Sequence, residues 1–583
     1  MPADSSRVDA DRQLLIDAQG RGVAATLKAY ARLSGPGWLQ SALTLGGGSL
    51  GSSLYLGILG GFSLLWLQPF AMAIGVVMMS AIAYVTLSTG ERPFRAINRH
   101  INPVLGWSWL IATLMANMVW SLPQYSLCFA VCEQNFFPSV FQGDGVLAPG
   151  PSNSLLGRWV VSGAVLVLCT VVTWSYGSGS WGVRLYDAIL KWVVALIVVC
   201  FIGVVVRMAM TPEGVNWGAV FAGLLPNFKH LYEPVATLRP LLEGIADPEA
   251  RRYWTELIVG EQRDVMLAAG AAAVGINMTF LLPYALLTRG WDKAFRGMTI
   301  FDLATGTFIP FVLATGCVVI AAAQQFHGRL PEGVVVAADG SVEVPRHFQK
   351  PYDALLEQRA AATVSGSNQI IPFTAADERI AATLVRRDTF DLAKSLARLF
   401  DPSGGSGGHF MANIVFGVGV VAMTISSISL MMLISGFVVC EVLDRPAEGW
   451  VFRLGCLIAS VGAFWPLLWE GDARAWLTVI AGVYGAMLLP IAYVTFFVMM
   501  NKKSLLGAEA PTGASRIVWN VLMAIAATAA TAAGVSAIVE KGGIVGVAFV
   551  VAYIALVLVV QCFHKPPQAS AVAGAAPFAT ASL

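Results

Sequence analysis

The feature that most constrains this chain is a run of glycine and serine inside an apolar segment. Residues 46–53 read GGGSLGSS, shortly after a GPGW start at 35–38. Consecutive glycines weaken a helix and leave backbone groups unpaired, and lipid cannot satisfy those groups. Such a break is tolerated where it is buried in protein or lines a cavity, and transporters bind solutes at breaks of this kind. The run therefore favours a solute-binding break, with a glycine face for close helix packing as the alternative.

The composition is that of an integral membrane protein. Of 583 residues, 56% are hydrophobic and 12% are charged, whereas a soluble domain has about 25% charged residues. The net charge is only +2 and no RNA- or DNA-binding motif occurs, so no nucleic-acid partner is expected. The eight cysteines have neither metal-ligand nor disulfide spacing, and no cofactor is expected. No nucleophile–base motif occurs in the apolar segments, so the chain is not expected to be an enzyme.

Apolar stretches long enough to cross about 30 Å of hydrocarbon recur along the chain. They predict an all-α polytopic membrane protein with helices 1–7 in 35–325 and helices 8–12 in 409–564. Residues 1–34 precede them, and hydrophilic inserts cover about 210–262 and 326–408. The predicted spans are 38–62, 63–88, 104–130, 155–176, 183–209, 264–288, 299–324, 411–440, 449–469, 473–500, 514–539 and 543–563.

The charges of the loops predict the orientation. Loops after the second, sixth and tenth spans are rich in Lys and Arg, whereas the loop 131–154 has none. The positive-inside rule then places both termini in the cytoplasm and both inserts outside, in a plasma (inner) membrane. The Ala/Pro-rich residues 565–583 are expected to be a disordered cytoplasmic tail. The clusters are Arg92, Arg95 and Arg99; Arg289, Lys293 and Arg296; and Lys502, Lys503 and Arg516.

A second break is predicted in the sixth span. Gly275 and Pro283 bracket the polar residues Asn277 and Thr279. Proline in a helix interior removes one hydrogen bond and clashes with the preceding turn. The first and sixth spans occupy the same position in two halves of five helices, and paired breaks at such positions indicate a binding site between inverted repeats.

Several segments in the same order resemble the Nramp family of proton-coupled divalent-metal transporters. The resemblance implies a LeuT-type fold with two inverted repeats of five helices, two further helices and broken helices 1 and 6. It also implies alternating-access transport of a small ion across the lipid bilayer, and it leaves the oligomeric state open. The matching segments are 35–66, 88–91 (STGE), 217–220 (WGAV), 225–226 (LP), 326–328 (FHG), 426–427 (SS) and 489–492 (LPIA).

The functional residues of that family are replaced at most of the corresponding positions. The metal-binding first-helix motif Asp-Pro-Gly-Asn falls on residues 46–49, which read GGGS, and Met-Pro-His of the sixth helix falls on 276–278, which read INM. The family's metal positions are therefore Gly46, Ser49 and Ile276, which form no recognisable metal site. The acidic positions of the third helix become Leu114 and Asn117, the Gln of the tenth becomes Leu488, and Asp187 keeps an acidic position.

The candidate site is consequently uncharged. Mg²⁺ and Mn²⁺ prefer hard oxygen ligands that include carboxylate, and without the usual acidic and histidine positions we expect no proton relay of the Nramp type. Other polar groups that could reach a bound solute are Gln124, Tyr125, Thr424, Ser426, Ser427 and Ser429. The predicted substrate-binding residues are Thr44, Gly46, Gly47, Gly48, Ser49, Asn117, Asn277, Met278 and Thr279.

Three functions are compatible with such a site. The first is a metal-ion transporter whose weakly polar cavity accepts a hydrated divalent cation. The second is a transporter of an anionic or zwitterionic solute, bound by N–H groups and the positive ends of half-helices. The third is a non-transporting membrane scaffold or sensor, although intact helix breaks would then serve nothing.

Overall fold

Helices account for nearly all of the regular structure. The computed structural model describes residues 5–149, 155–176, 180–212, 214–337, 341–367, 373–387, 406–469 and 476–564. Within these ranges the strands are a short antiparallel pair, β1 (Val335–Val336) and β2 (Val342–Glu343), in the second insert. The predicted tail and residues 388–405 of that insert lie outside the described residues.

The helices of the first half include both halves of the first span. In chain order they are α1 (Ser5–Gly20), α2 (Val23–Leu33), α3 (Pro36–Thr44), α4 (Gly47–Gly60), α5 (Leu67–Thr89), α6 (Pro93–His100), α7 (Pro103–Val131), α8 (Pro138–Phe141), α9 (Leu156–Tyr176), α10 (Ser180–Ala209), α11 (Trp217–Ala222) and α12 (Arg239–Glu243). Short 3₁₀ segments cover Gly61–Leu64, Phe228–Leu231 and Ala236–Leu238, and a π-helical turn covers Cys132–Phe136.

The second half repeats the arrangement, with another divided span at its start. Its helices are α13 (Pro248–Ala273), α14 (Ile276–Thr288), α15 (Arg296–Leu303), α16 (Ile309–Phe326), α17 (Arg346–Ser367), α18 (Ala375–Leu384), α19 (Ser406–Val442), α20 (Gly449–Cys456), α21 (Trp465–Leu468), α22 (Trp476–Met500), α23 (Lys503–Leu506) and α24 (Gly513–Phe563). The 3₁₀ segments are Lys293–Phe295, Leu457–Phe464 and Gly507–Glu509, and a π-helical turn covers Ala304–Phe308.

The number of membrane spans agrees with the prediction from hydropathy. Ten helical segments of the described residues are long and apolar enough to cross a membrane, and the bent pair α3–α4 makes eleven. The twelfth arises because α24 contains two of the predicted spans. Its 51 residues are interrupted by Gly543, whose φ of 52° and ψ of −142° are not helical.

Contacts of α24 show that the chain reverses at Gly543. Lys541, just before the kink, donates to the Asp264 carboxylate at 2.8 Å. The beginning of α24, in contrast, lies near the end of α5, and its end lies near the start of α7. Trp519 packs on Tyr84 with ring centroids 5.9 Å apart, and Gln561 accepts from the Asn102 amide at 3.0 Å. The two halves of α24 therefore form an antiparallel pair of spans.

The sixth span begins earlier than hydropathy predicted. Its helix α13 starts at Pro248, with Asp247 as an N-cap that accepts from the Ala250 N–H at 2.8 Å, whereas the predicted span starts at 264. The difference arises because the first turns of α13 are polar. They carry the second insert, since the buried Asp377 of α18 accepts from Trp254 of α13 at 2.7 Å and pairs with Arg359 of α17 at 3.2 Å.

Candidate functional site

The first break separates α3 from α4 at Leu45 and Gly46, and the helix axes differ by 55°. The Ser49 hydroxyl donates to the Thr44 carbonyl at 2.6 Å and lies 2.9 Å from the Gly46 carbonyl. The Gly47 N–H donates to Gln124 Oε1 of α7 at 2.8 Å. Side chains thus satisfy backbone groups that the break leaves without helical partners.

The glycine run contains both a helix break and positions of close helix packing. A Cβ at Gly46 would lie 2.1 Å from Ser427 Oγ of α19, directly at the break. Further along α4 the glycines allow close helix packing. A Cβ at Gly51 would lie 2.1 Å from Thr478 Oγ1, and one at Gly57 would lie 2.6 Å from the Val319 carbonyl oxygen. The break therefore involves the start of the run, and the later glycines are packing positions.

The second break separates α13 from α14 at Val274 and Gly275, both of which have extended backbone. It adjoins the first break directly. The Thr44 hydroxyl lies 2.9 Å from the Ala272 carbonyl oxygen and 2.7 Å from that of Ala273. One hydroxyl therefore joins the last turn of α3 to the last turn of α13. Pro283, in contrast, lies inside α14.

A narrow cavity lies between the two breaks. Its accessible space of about 10 Å³ is near the minimum for one water molecule. The predicted residues Thr44, Gly46, Gly48, Ser49, Asn277 and Met278 all line it. The remaining lining residues are Leu43, Trp120, Gln124, Ala272, Gly275, Ser427 and Met431.

Three of the predicted site residues are near this cavity but do not line it. Gly47 turns its N–H toward Gln124. Asn117 accepts from the Asn277 amide at 3.1 Å and donates to the Ser435 hydroxyl at 3.1 Å. It therefore helps to orient the Asn277 side chain without lining the cavity itself. Thr279 accepts from Trp109 Nε1 of α7 at 2.9 Å and donates to the Ile276 carbonyl of its own helix at 2.5 Å.

Some lining residues were not selected from the sequence. Gln124 and Ser427 were recognised only as polar groups within reach of a solute. Trp120 and Met431 were not considered, because an aromatic or thioether side chain in an apolar span resembles ordinary lipid-facing or core residues. Their spacing offers one signal, since Trp120 and Gln124 are one turn apart on α7, as are Ser427 and Met431 on α19.

The cavity has no charged lining residue among those the structure describes. The same residues contain no group of three or more His, Cys, Asp or Glu that could bind a metal ion. Ile276, at a family metal position, is buried but lies outside the lining. The side chain of Asp187 lies outside the described residues. The polar and polarisable groups of the lining residues are therefore hydroxyl, amide, backbone, thioether and indole groups.

Contacts at the two ends of the first span hold its halves in place. At the start of α3, the buried Asp302 carboxylate accepts from the Gly37 N–H at 2.6 Å and from the Ser34 hydroxyl. On the other side of the membrane, Tyr55 of α4 donates to the Arg387 carbonyl at 2.6 Å. Arg387 belongs to the end of the second insert and donates to the Phe326 carbonyl at 3.1 Å.

Comparison with protein families gives a match over most of the chain. The family described as "Natural resistance-associated macrophage protein-like" (Nramp) matches residues 37–342 and 380–540. The gap between these segments falls in the second insert, around α17. A search of the curated proteins finds no matching relative.

Comparison with solved structures gives the same fold. A mutant of the manganese transporter of Eremococcus coleocola is 14% identical, with a TM-score of 0.57 over 92% of this chain and 94% of that chain. The same transporter in complex with an aromatic bis-isothiourea substituted compound is 14% identical, with a TM-score of 0.56 over 93% and 96%. At this identity the likeness establishes the fold alone.

Proposed function

The chain belongs to the Nramp family, and from that premise we propose that it is a metal-ion transporter that binds its cargo in the cavity between the two helix breaks. The observation that carries the proposal is the position of the cavity. Thr44 and Ser49 of the first break and Asn277 and Met278 of the second all line it. Solutes bind at such paired breaks in transporters with inverted repeats.

A cation fits the arrangement better than the anionic or zwitterionic solute. The carbonyl ends of α3 and α13 meet at the cavity, and the C-terminal end of a helix carries partial negative charge. An anion would need N–H groups at the start of α4, and one of these, the Gly47 N–H, is already bonded to Gln124. An amino acid, like a fully hydrated ion, would need a wider conformation of the site than the one with about 10 Å³ of space.

The size of the cavity also bears on the hydration of the ion. Space for about one water molecule accepts an ion that has lost most of its hydration shell. A fully hydrated divalent cation would need a wider conformation of the same site. The titles of the solved neighbours name a manganese transporter, which supports a metal ion as cargo.

Transport is tested in proteoliposomes that contain the full chain. Uptake of Mg²⁺, Mn²⁺, monovalent cations, amino acids and bicarbonate is measured with and without a pH gradient. We expect uptake of at least one metal ion, none of the amino acids or bicarbonate, and no acidification of the lumen of the Nramp type. Uptake of an amino acid or bicarbonate alone would favour the second function. A folded protein that carries none of these solutes would favour the scaffold or sensor.

We infer the orientation from the loop charges, with both termini in the cytoplasm. The supporting observation is that Arg92 and Arg95 at the start of α6 pair with Glu441 at the end of α19, so these two helix ends lie on the same side, as the predicted order of spans requires. A cysteine at Gly143 should react with an impermeant reagent from outside, and one at Lys502 should not. The reverse labelling would contradict the orientation.

A further inference from the structure

The walls of the cavity contain two thioethers, which are unusual ligands for a hard divalent cation. Met278 of α14 and Met431 of α19 both line it, and each is 1% exposed. Thioether sulfur is a soft donor that selects soft metal ions, whereas Mg²⁺ and Mn²⁺ prefer carboxylate, carbonyl and water. Two such side chains from different helices give a cavity of this size a strong preference for soft ions.

An indole ring contributes a third soft surface. Trp120 lines the cavity opposite Gly48, and a Cβ at Gly48 would lie 3.6 Å from Trp120 Cε3 and Cζ3. Because glycine has no side chain, no Cβ covers the ring at this point of the break. Tryptophan is the aromatic side chain that attracts cations most strongly.

The absence of charge among the lining residues limits the charge of the ion. The cost of removing an ion from water rises with the square of its charge, so an uncharged site offsets a larger share of that cost for a monovalent ion than for a divalent one. The helix ends supply only part of the difference, because each carries a fraction of one charge and the carbonyl ends of α3 and α13 are opposed by the N–H ends of α4 and α14.

From these observations we propose that the cargo is a soft, monovalent metal cation, bound between Met278 and Met431 against the face of Trp120. The inference rests on the proposed function, because it names the ion that this same cavity carries. The Ser427 hydroxyl and the carbonyl ends of the broken helices supply the remaining oxygen contacts. A hard monovalent ion such as Na⁺ or K⁺ would find sulfur and indole where it needs oxygen.

The test uses Ag⁺ as a redox-stable soft monovalent probe, in nitrate buffers that keep it soluble. Uptake of Ag⁺, Mn²⁺ and K⁺ into proteoliposomes is measured by elemental analysis for the full chain. Met278→Leu and Met431→Leu remove one sulfur each and conserve volume, so they should fold. The control is Met432→Leu, which changes a buried methionine of α19 outside the cavity lining.

We expect the full chain to take up Ag⁺ in preference to Mn²⁺ and K⁺ by about tenfold or more. Each cavity variant should lose Ag⁺ uptake by about tenfold, and the control should lose less than about twofold. The proposal is overturned if Ag⁺ uptake is unchanged in both Met278→Leu and Met431→Leu. It is also overturned if Mn²⁺ or K⁺ is preferred and Gly46→Leu abolishes that uptake, a result that would leave the proposed function intact. A folded chain that carries no ion at all would overturn both.

Discussion

The two helix breaks that form the cavity are stabilised in different ways. Backbone groups around the first are bonded by Ser49 of α4, Gln124 of α7, and Ser426 and Ser427 of α19. At the second break, the carbonyls at the end of α13 have lost their helical partners. Among the described side-chain contacts they accept from Thr44 alone. Several elements therefore bond the backbone of the first break, whereas the carbonyls freed at the second break depend on Thr44 of the first.

This difference has a consequence for transport. Transport by alternating access requires the halves of the protein to move relative to each other around the site. The Thr44 hydroxyl is the contact that joins the last turn of α3 to the last turn of α13 beside the cavity. Changes at the first break should therefore affect both halves, and loss of the Thr44 bond should release the second break while the first keeps its shape.

The largest effect is expected when bulk is introduced at the first break. In Gly46→Leu the new side chain begins 2.1 Å from Ser427 Oγ and 3.0 Å from Ser427 Cβ, so it must occupy the cavity or displace α19. We expect uptake of the cargo to be abolished. The matched control is Gly316→Leu in α16, where a Cβ meets nothing within 4 Å. Normal uptake by a folded Gly46→Leu protein would exclude this break from the ion path.

An intermediate effect is expected for Thr44→Val, which keeps the shape of the side chain and removes the hydroxyl. The carbonyls of Ala272 and Ala273 lose their bond to Thr44, at a cost of about 1–3 kcal/mol. We expect a lower melting temperature and a several-fold loss of uptake. In the control Thr315→Val, the lost bond is only to the Phe311 carbonyl of the same helix at 2.7 Å. Equal effects of the two changes would argue against a special role for Thr44.

The smallest effect is expected for Ser49→Ala. Its hydroxyl bonds are local, and Gln124, Ser426 and Ser427 still support the first break after its removal. A side-chain hydrogen bond within a membrane protein contributes about 0.6 kcal/mol on average, so uptake should fall by less than in Thr44→Val. The two variants are compared by thermal unfolding and initial uptake rate. A larger effect of Ser49→Ala than of Thr44→Val would contradict the inferred difference between the two breaks.

Much of the fold was accessible from the sequence because lipid imposes simple constraints. Span lengths, the break in 46–49 and the break near Gly275 follow from hydropathy and glycine placement. The polar first turns of α13 were missed because an extension beyond the membrane has no hydropathy signal. The non-helical Gly543 falls where the predicted span 543–563 begins, at the boundary with the span 514–539.

The site itself was predicted less completely, because the composition of a broken helix does not show which of its residues face the cavity. Met278 and Thr279 are neighbours, yet one lines the cavity and the other bonds to Trp109. A single residue rotates a helix by about 100°, so an exact break position is needed to separate them. The selection of the candidate residues therefore remains a prediction that transport measurements must test.

The central claim is that cargo binds in an uncharged cavity between the breaks, and Gln124→Glu tests it most directly. The glutamate can still accept from the Gly47 N–H, now 2.8 Å from Gln124 Oε1, while it adds one negative charge at the cavity wall. Proteoliposome uptake of Mn²⁺ and Ag⁺ is compared at alkaline pH, where the carboxyl group is ionised, with Gln324→Glu as a control outside the cavity. We expect the preference for Mn²⁺ over Ag⁺ to rise by about tenfold or more. An unchanged preference in a folded protein would contradict the claim.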